Sequence, residues 1–293
     1  MVRSSVETDS ALEGAARILA GLLESRTGQA LTEARAWRME TALRPVLRQH
    51  GLADIDALVS RLTRKGDAAL EQAVVDALLN NESSFFRDFQ IFDMIQRQVL
   101  PHIRTQRKDR VLRIWSAGCS TGQEAYSLAI LLRNKWPEWA GWRIEILATD
   151  ISAHAVDQAR SGIFSQMDVQ RGLAVGDLIK WFEPHGDNWQ ANSHLRRMID
   201  FRQDNLFDPT APAGTYDLIL CRNVLLYFNR ERRQAVLNLI ARHSHEGSIL
   251  LMGAGETLIG QGEEFVAHAE FRGGYVRQSP ASAPPLGLAR RAF

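Results

Sequence analysis

The chain has 293 residues, 45% of them hydrophobic, enough for one large α/β domain and a smaller companion. Its 35 Lys plus Arg against 34 Asp plus Glu give a formal net charge of +1, which excludes a generalised Lys/Arg coat for nucleic acid. The two cysteines, Cys119 and Cys221, have neither paired nor ligand spacing, which excludes a disulfide framework and leaves no expected metal site. They read as small, buried, reduced thiols suited to the cytoplasm. The opening MVRSSVETDSALEG has no apolar signal core, and no apolar run approaches the roughly 20 residues that span a bilayer. The expectation is a soluble cytoplasmic protein with no membrane insertion.

Apolar residues recur at 3- and 4-residue steps through residues 10–80. Leu12, Ala15, Ala16, Leu19 and Leu23 form one set, Ala42, Leu43, Val46 and Leu47 a second, and Leu70, Val74, Ala77 and Leu78 a third. They predict an N-terminal all-α domain over residues 1–85, with Gly51 stopping its second helix. The pattern then changes. VLRIWSAG (111–118) is a strand ending in a glycine turn, followed by a helix from about Glu124 to Asn134. RIEILATD (143–150) is a strand and SAHAVDQAR (152–160) a helix. YDLILCRN (216–223) is a buried strand, RERRQAVLNLIARH a helix, and SILLMGAGE (248–256) a further strand. This alternation predicts an α/β domain over residues 86–278, built on a mostly parallel sheet with helices on both faces. The irregular stretch 162–204 reads as a small antiparallel β insertion containing LRRMIDF. Residues 279–293, rich in Pro and Ala, read as a disordered tail.

Five short motifs carry the chemistry. SAGCSTGQEAYS (116–127) is a loop in which Gly118 and Gly122 permit a tight turn near a ligand. It is neither a dinucleotide fingerprint nor a phosphate loop, since no Gly-Lys-Ser/Thr follows. Asp150, ending the next strand, can accept both hydroxyls of a ribose, and equally can cap the following helix, a task Ser152 can also perform. In DNLFD (204–208), Asn205 can bond an adenine edge or simply form a turn. CRNVLLYF (221–228) puts Arg222 and Asn223 just after a buried strand, with Tyr227 one helical turn on. NNESSFFRD (80–88) gathers Asn81, Ser83 and Arg87 beside Phe85 and Phe86, between the two domains.

In this order and spacing the five motifs closely resemble the chemotaxis receptor glutamate O-methyltransferase family (CheR type), over roughly residues 10–278. The resemblance implies a class I (Rossmann-like) S-adenosylmethionine-dependent methyltransferase domain with a small β insertion, preceded by the helical domain. It implies S-adenosylmethionine as cofactor and S-adenosylhomocysteine as product. Asn81, Ser83 and Arg87 would contact the cofactor, with Gly118 in the loop beneath it. Asp150 would hold the ribose, Asn205 and Leu206 the adenine side, and Arg222 and Asn223 the edge near the methionine part. Arg222 and Tyr227 would be the catalytic pair facing the methyl group. The family usually has Gly-Glu-Glu-Pro-Tyr-Ser where this chain has Gly122-Gln123-Glu124-Ala125-Tyr126-Ser127. The first Glu, expected at the methionine amino group, is therefore Gln123, which keeps an acceptor but loses the charge; Glu124 is the alternative.

The implied substrate is a set of glutamates on the cytoplasmic helices of methyl-accepting chemoreceptors, the enzyme a monomer, and the output chemotactic adaptation by signal transduction. A glutamate side chain with a reference pKa near 4.3 is already a nucleophile at neutral pH, so no general base is needed. The Asp/Asn-Pro-Pro-aromatic motif of amino-methylating nucleic-acid enzymes and the Pro-Cys of cytosine-C5 enzymes are both absent from the CRNV position. Arg35, Arg38, Arg44 and Arg48 on the second helix could meet acidic receptor helices, or be a solvated face diluted by Glu33 and Glu40. Some family members bind a peptide at the receptor's flexible C-terminus by strand addition to the insertion. Here the stretch 182–201 has one glycine, Gly186, and Trp189 in the expected turn, which predicts no such tether. Two other readings are a methyltransferase for another substrate and a non-catalytic cofactor-binding adaptor.

Overall fold

A computed structural model describes residues 3–31, 38–64, 66–207 and 214–278. The expected tail, and Arg35 with Glu33, lie outside the described residues. The helical domain consists of α1 (Arg3–Thr27), α2 (Met39–Gln49), α3 (Ile55–Thr63) and α4 (Ala68–Leu78). The periodic apolar residues make its core: Leu19, Leu23, Leu43, Val46, Leu58, Leu70 and Val74 are buried together. Asp54 and Asp67 cap α3 and α4 by accepting from the amides of Ala57 and Leu70 at 2.8 and 3.1 Å. Gly51 follows α2 at φ +62°, in the left-handed conformation a helix stop requires.

The α/β domain opens with α5 (Phe89–Met94), which runs through a π-helical turn (Ile95–Val99) into α6 (Leu100–Gln106). Then come β1 (Val111–Ala117), α7 (Gln123–Asn134), β2 (Arg143–Asp150) and α8 (Ala153–Ser161). After the insertion the chain forms β6 (Ile199–Gln203), β7 (Tyr216–Cys221), α12 (Arg230–Arg242), β8 (Ser244–Met252), β9 (Phe265–Ala267) and β10 (Gly274–Arg277). The strand order is β6-β2-β1-β7-β8-β10-β9, with only β10 running against its neighbours. Buried clusters on the two faces, one around Tyr126 and Phe201, the other around Ile219 and Leu237, show the sheet packed on both sides. The order reverses between β1 and β7, so the carboxyl ends of β1, β2 and β7 splay around a crevice.

The insertion holds β3 (Ile163–Ser165), α9 (Gln166–Gln170), α10 (Val175–Trp181), β4 (Phe182–His185), β5 (Asn188–Ala191) and α11 (Ser193–Arg196). Its sheet has the order β3-β5-β4 and is antiparallel, as expected. Three expectations need correcting. MIDF does not belong to the insertion: β6 pairs parallel with β2 because Ile199 and Phe201 alternate into the main core. The strand expected at 248–256 starts at Ser244 and stops at Met252, where Gly253 donates back to the Glu256 carboxylate. Trp189 is not in the hairpin turn, which is Gly186-Asp187. It stands inside β5 opposite Pro184, its indole N–H donating to Gln166 at 2.7 Å.

Phe85 ties the interdomain strap to this insertion. Its ring lies 4.9 Å from Phe164 and 5.6 Å from Phe182, edge to face in both cases. Gly172 packs on the same residue so closely that a Cβ there would sit 1.9 Å from the Phe85 carbonyl. Phe85→Ala should lower the unfolding free energy in urea by about 3–5 kcal/mol. A loss below about 1 kcal/mol would show that the strap is not packed in solution as described.

Candidate functional site

The crevice opens into a cleft walled by the strap after α4, the end of α1, and the loops following β1, β2, β6 and β7. Asn81, Ser83, Arg87, Gly118, Glu124, Asp150, Asn205, Leu206, Arg222, Asn223 and Tyr227 all line it. Gln123 does not. At the start of α7 it is buried, and its amide oxygen accepts from the Thr121 hydroxyl at 2.8 Å. Glu124, one position on, faces the cleft instead.

The loop after β1 is shaped by three residues at positive φ, Gly118 (80°), Ser120 (51°) and Gly122 (95°). The amides of Gly118 and Cys119 donate to the Thr149 carbonyl at 2.8 and 2.9 Å, which fixes the loop against β2. A Cβ on Gly118 would meet Val224 at 2.4 Å, so this glycine lets the loops after β1 and β7 close on each other. Asp150 receives the amides of Ser120 at 2.7 Å and Ser152 at 3.0 Å. Burial pushes its carboxyl above the usual carboxylate value of 3.8, although those amides pull it down. Ser152, as the sequence allows, caps α8 by accepting from Ala155, and its hydroxyl donates to Asp76 of α4 at 2.7 Å.

Arg222 is the most committed charge in the cleft. Its side chain is 1% exposed. One terminal nitrogen bonds Glu124 at 2.9 Å; the other bonds Asp88 at 2.7 Å and the Arg87 carbonyl at 2.8 Å. Glu124 also accepts from the Ser116 hydroxyl at 2.8 Å. Both terminal nitrogens are engaged by protein groups, while the buried Nε has no hydrogen-bond partner among the described residues. Tyr227 lies on a 3-10 turn (Leu225–Tyr227). Its hydroxyl receives Asn80 at 2.5 Å, and its carbonyl receives the Ala30 amide at 3.0 Å. Arg87 lines the cleft with one guanidinium nitrogen on the Glu82 carbonyl at 3.1 Å.

Several residues that shape the site were not singled out from the sequence. Glu256 is the foremost. Its carboxylate accepts from the amides of Asn223 (2.7 Å), Gly253 (2.9 Å), Val224 (3.0 Å) and Leu226 (3.1 Å). It thereby holds Asn223 at φ +58° and sets the turn carrying Tyr227. The only sequence signal is a Gly-x-x-Glu hook just past a buried strand. Asp88 and Ser120 also sit at positive φ, and the Ser120 hydroxyl donates to the Asn81 carbonyl at 2.7 Å, joining the strap to the glycine loop. Cys119 and Cys221 are both buried and free, and burial pushes both thiols well above their ordinary value.

The model of the CheR methyltransferase, SAM binding domain, matches residues 81–271. The chain belongs to the CheR methyltransferase family. It is 34% identical over 246 residues to the chemotaxis protein methyltransferase of Vibrio parahaemolyticus, covering 83% of this chain and 89% of the relative. Chemotaxis protein methyltransferase 1 of Pseudomonas aeruginosa is 34% identical over 243 residues, covering 80% and 87%. The counterpart in Borreliella burgdorferi is 29% identical over 249 residues, covering 83% and 88%. S-adenosylmethionine is thus the cofactor of the α/β domain, and the cleft suits it. Asp150 offers a half-buried carboxylate without a cationic partner among the described residues, which suits a neutral diol. Glu124 offers a negative group for an ammonium.

Asp150→Asn should weaken S-adenosylhomocysteine binding by about 1.5–3 kcal/mol, roughly ten- to a hundredfold by calorimetry. A proton on Asp150 competes with ribose donors, so wild-type affinity should fall as pH drops through its raised pKa, beginning above pH 3.8. The Asn variant should lose that acid limb, and an unchanged limb would assign it to another group. Glu256→Ala leaves four amides without their acceptor and should cost about 1–3 kcal/mol in unfolding free energy. A neutral result there would mean that the loop holds without its hook.

Proposed function

We propose that this protein transfers the methyl group of S-adenosylmethionine to glutamate carboxylates on the cytoplasmic helices of methyl-accepting chemoreceptors, forming methyl esters for chemotactic adaptation. The observation that carries the reading is the chemistry of the cleft wall. Among the described residues lining it there is no His and no Lys, and its one thiol, Cys119, is held protonated by burial. A carboxylate acceptor is already ionised at neutral pH and needs no base or nucleophile from the wall, and the wall's carboxylates Glu124 and Asp150 are engaged with Arg222 and with the Ser120 and Ser152 amides.

When bound, the cofactor supplies an electrophilic sulfonium methyl. Asp150 holds the ribose hydroxyls, and Glu124, steadied by Arg222 and Ser116, faces the methionine ammonium. Arg222 works indirectly, by fixing Glu124 and the strap residue Asp88. Tyr227 Oη, oriented by Asn80, and the Arg87 guanidinium meet the incoming carboxylate and hold its oxygen in line with the methyl group. These are single contacts to an acceptor that must stay nucleophilic, so the grip is one of orientation. The strap and the end of α1 roof the cleft and exclude water.

Receptor docking falls to the helical domain. Arg38, Arg44 and Arg48 are exposed, while Met39, Leu43 and Val46 turn α2 inward. Such a basic face suits acidic receptor helices. A peptide tether on β4, one of the insertion's two edge strands, is disfavoured. In a two-residue hairpin the flanking pair, His185 and Asn188, exchange hydrogen bonds, so Glu183 also points its amide at β5. Phe182 and Pro184 are then the outward positions of β4, and Pro184 has no amide hydrogen to offer an added strand. We therefore place recognition on the helical domain alone.

Label transferred to receptor fragments should be released as methanol in mild alkali, whereas alkali-stable label would mean N- or C-methylation and defeat the ester reading. Removing the last residues of the receptor should leave the methylation rate within about twofold, since no effective concentration is lost. A large drop, or micromolar binding of the free tail peptide, would restore the tether.

A further inference from the structure

Gln29 lies just beyond α1, in the part of the helical domain that reaches over the cleft, and it lines that cleft. Its amide oxygen is shielded from solvent and has no hydrogen-bond partner among the described residues. A buried acceptor left unpaired costs about 1–3 kcal/mol, so the position calls for a donor. The backbone around it is firmly held. The Gly28 amide donates to Glu24 at 2.8 Å, the Gln29 amide to the Thr27 hydroxyl at 3.1 Å, and the Ala30 amide to Tyr227 at 3.0 Å. Gly28, at φ +76°, lies so close to Phe207 that a Cβ there would approach its ring to 2.4 Å. That contact puts Gln29 at the end of the cleft formed by Asn205, Leu206 and Phe207.

At the same end, Asn205 uses its amide oxygen to accept from the Phe207 backbone at 3.0 Å, which leaves its NH₂ as the group it can present to a ligand. The wall therefore offers one donor, from Asn205, and one acceptor, from Gln29. The Watson–Crick edge of adenine carries the complementary pair, a ring nitrogen that accepts and an exocyclic amine that donates. We propose that Gln29 Oε1 accepts a hydrogen bond from the exocyclic amine of the cofactor's adenine, so that the helical domain itself reads the base. This rests on the cleft holding S-adenosylmethionine with its ribose on Asp150. Gln29 is then a specificity-determining residue contributed by the domain outside the cofactor-binding fold.

The test compares binding of S-adenosylhomocysteine with that of S-inosylhomocysteine, whose base carries a carbonyl in place of the amine. Calorimetry on the full chain uses wild type, Gln29→Leu and Gln29→Glu. Loss of Asn205 recognition in the inosine compound affects all three proteins alike, so the change in preference isolates position 29. Wild type should favour the adenine compound. Gln29→Leu should reduce that preference about three- to tenfold, as expected for one hydrogen bond. Gln29→Glu, which keeps an acceptor, should retain it. Each preference is a ratio of two affinities within one protein, so partial misfolding of a variant does not affect it. A Gln29→Leu variant that keeps the wild-type preference overturns the proposal while leaving the cofactor site standing. A wild type that binds neither compound overturns both.

Discussion

A buried guanidinium organises this protein. Arg222 reaches from the end of β7 to Glu124 at the start of α7 and to Asp88 at the end of the interdomain strap. A charge taken out of water is tolerated only when its partners are in place, and removing one partner of such a pair typically costs about 3–5 kcal/mol. The three elements are therefore not independent: the strap cannot leave without stranding Arg222, and α7 cannot rotate without stranding it either. Phe92 adds its ring face 5.5 Å from the guanidinium carbon, so the first turn of α5 belongs to the same assembly.

Around that anchor the cleft is assembled from backbone as much as from side chains. Among the described residues, five that are not glycine lie at positive φ: Phe86, Asp88, Arg110, Ser120 and Asn223. All but Arg110 are in the strap or in the loops after β1 and β7. Such conformations persist only where surrounding bonds over-determine them. The Phe86 amide is held by the Ser127 hydroxyl at 2.9 Å, Ser120 by Asp150 and by the Asn81 carbonyl, and Asn223 by Glu256. The helical domain closes the assembly through Asp76 on Ser152 and Asn80 on Tyr227.

The α/β elements were legible because alternation of strand and helix periods is a local property of the chain, and β2 in particular spans the residues expected of it, 143–150. The members of the cleft were legible because motif spacing marks strand ends. What escaped depended on partners far away in sequence. MIDF looks like a strand of the insertion until Ile146 and Ala148 are known to lie beside it. Trp189 was misplaced because one residue of register decides turn or strand. Glu256 gave little sign beyond its Gly-x-x-Glu spacing because its four partners are backbone amides, which sequence does not distinguish. Gln123 was singled out from the family motif, yet helix geometry points neighbouring side chains about 100° apart, and the cleft-facing one is Glu124.

The strap at residues 80–88 is at once the connection between two folding units and a wall of the site. Linkers of most two-domain enzymes can be lengthened, shortened or exchanged with little harm, and that freedom lets recognition domains be shuffled among catalytic ones. Here the freedom is gone. A cut at the boundary suggested by sequence, after Phe85, would carry off Asn80, Asn81 and Ser83 from the cleft and leave Phe164 and Phe182 facing a void. The helical domain is consequently not an interchangeable adaptor. Variation in it is confined to its outer helical faces, while the segment that joins it to the α/β half keeps its length and conformation.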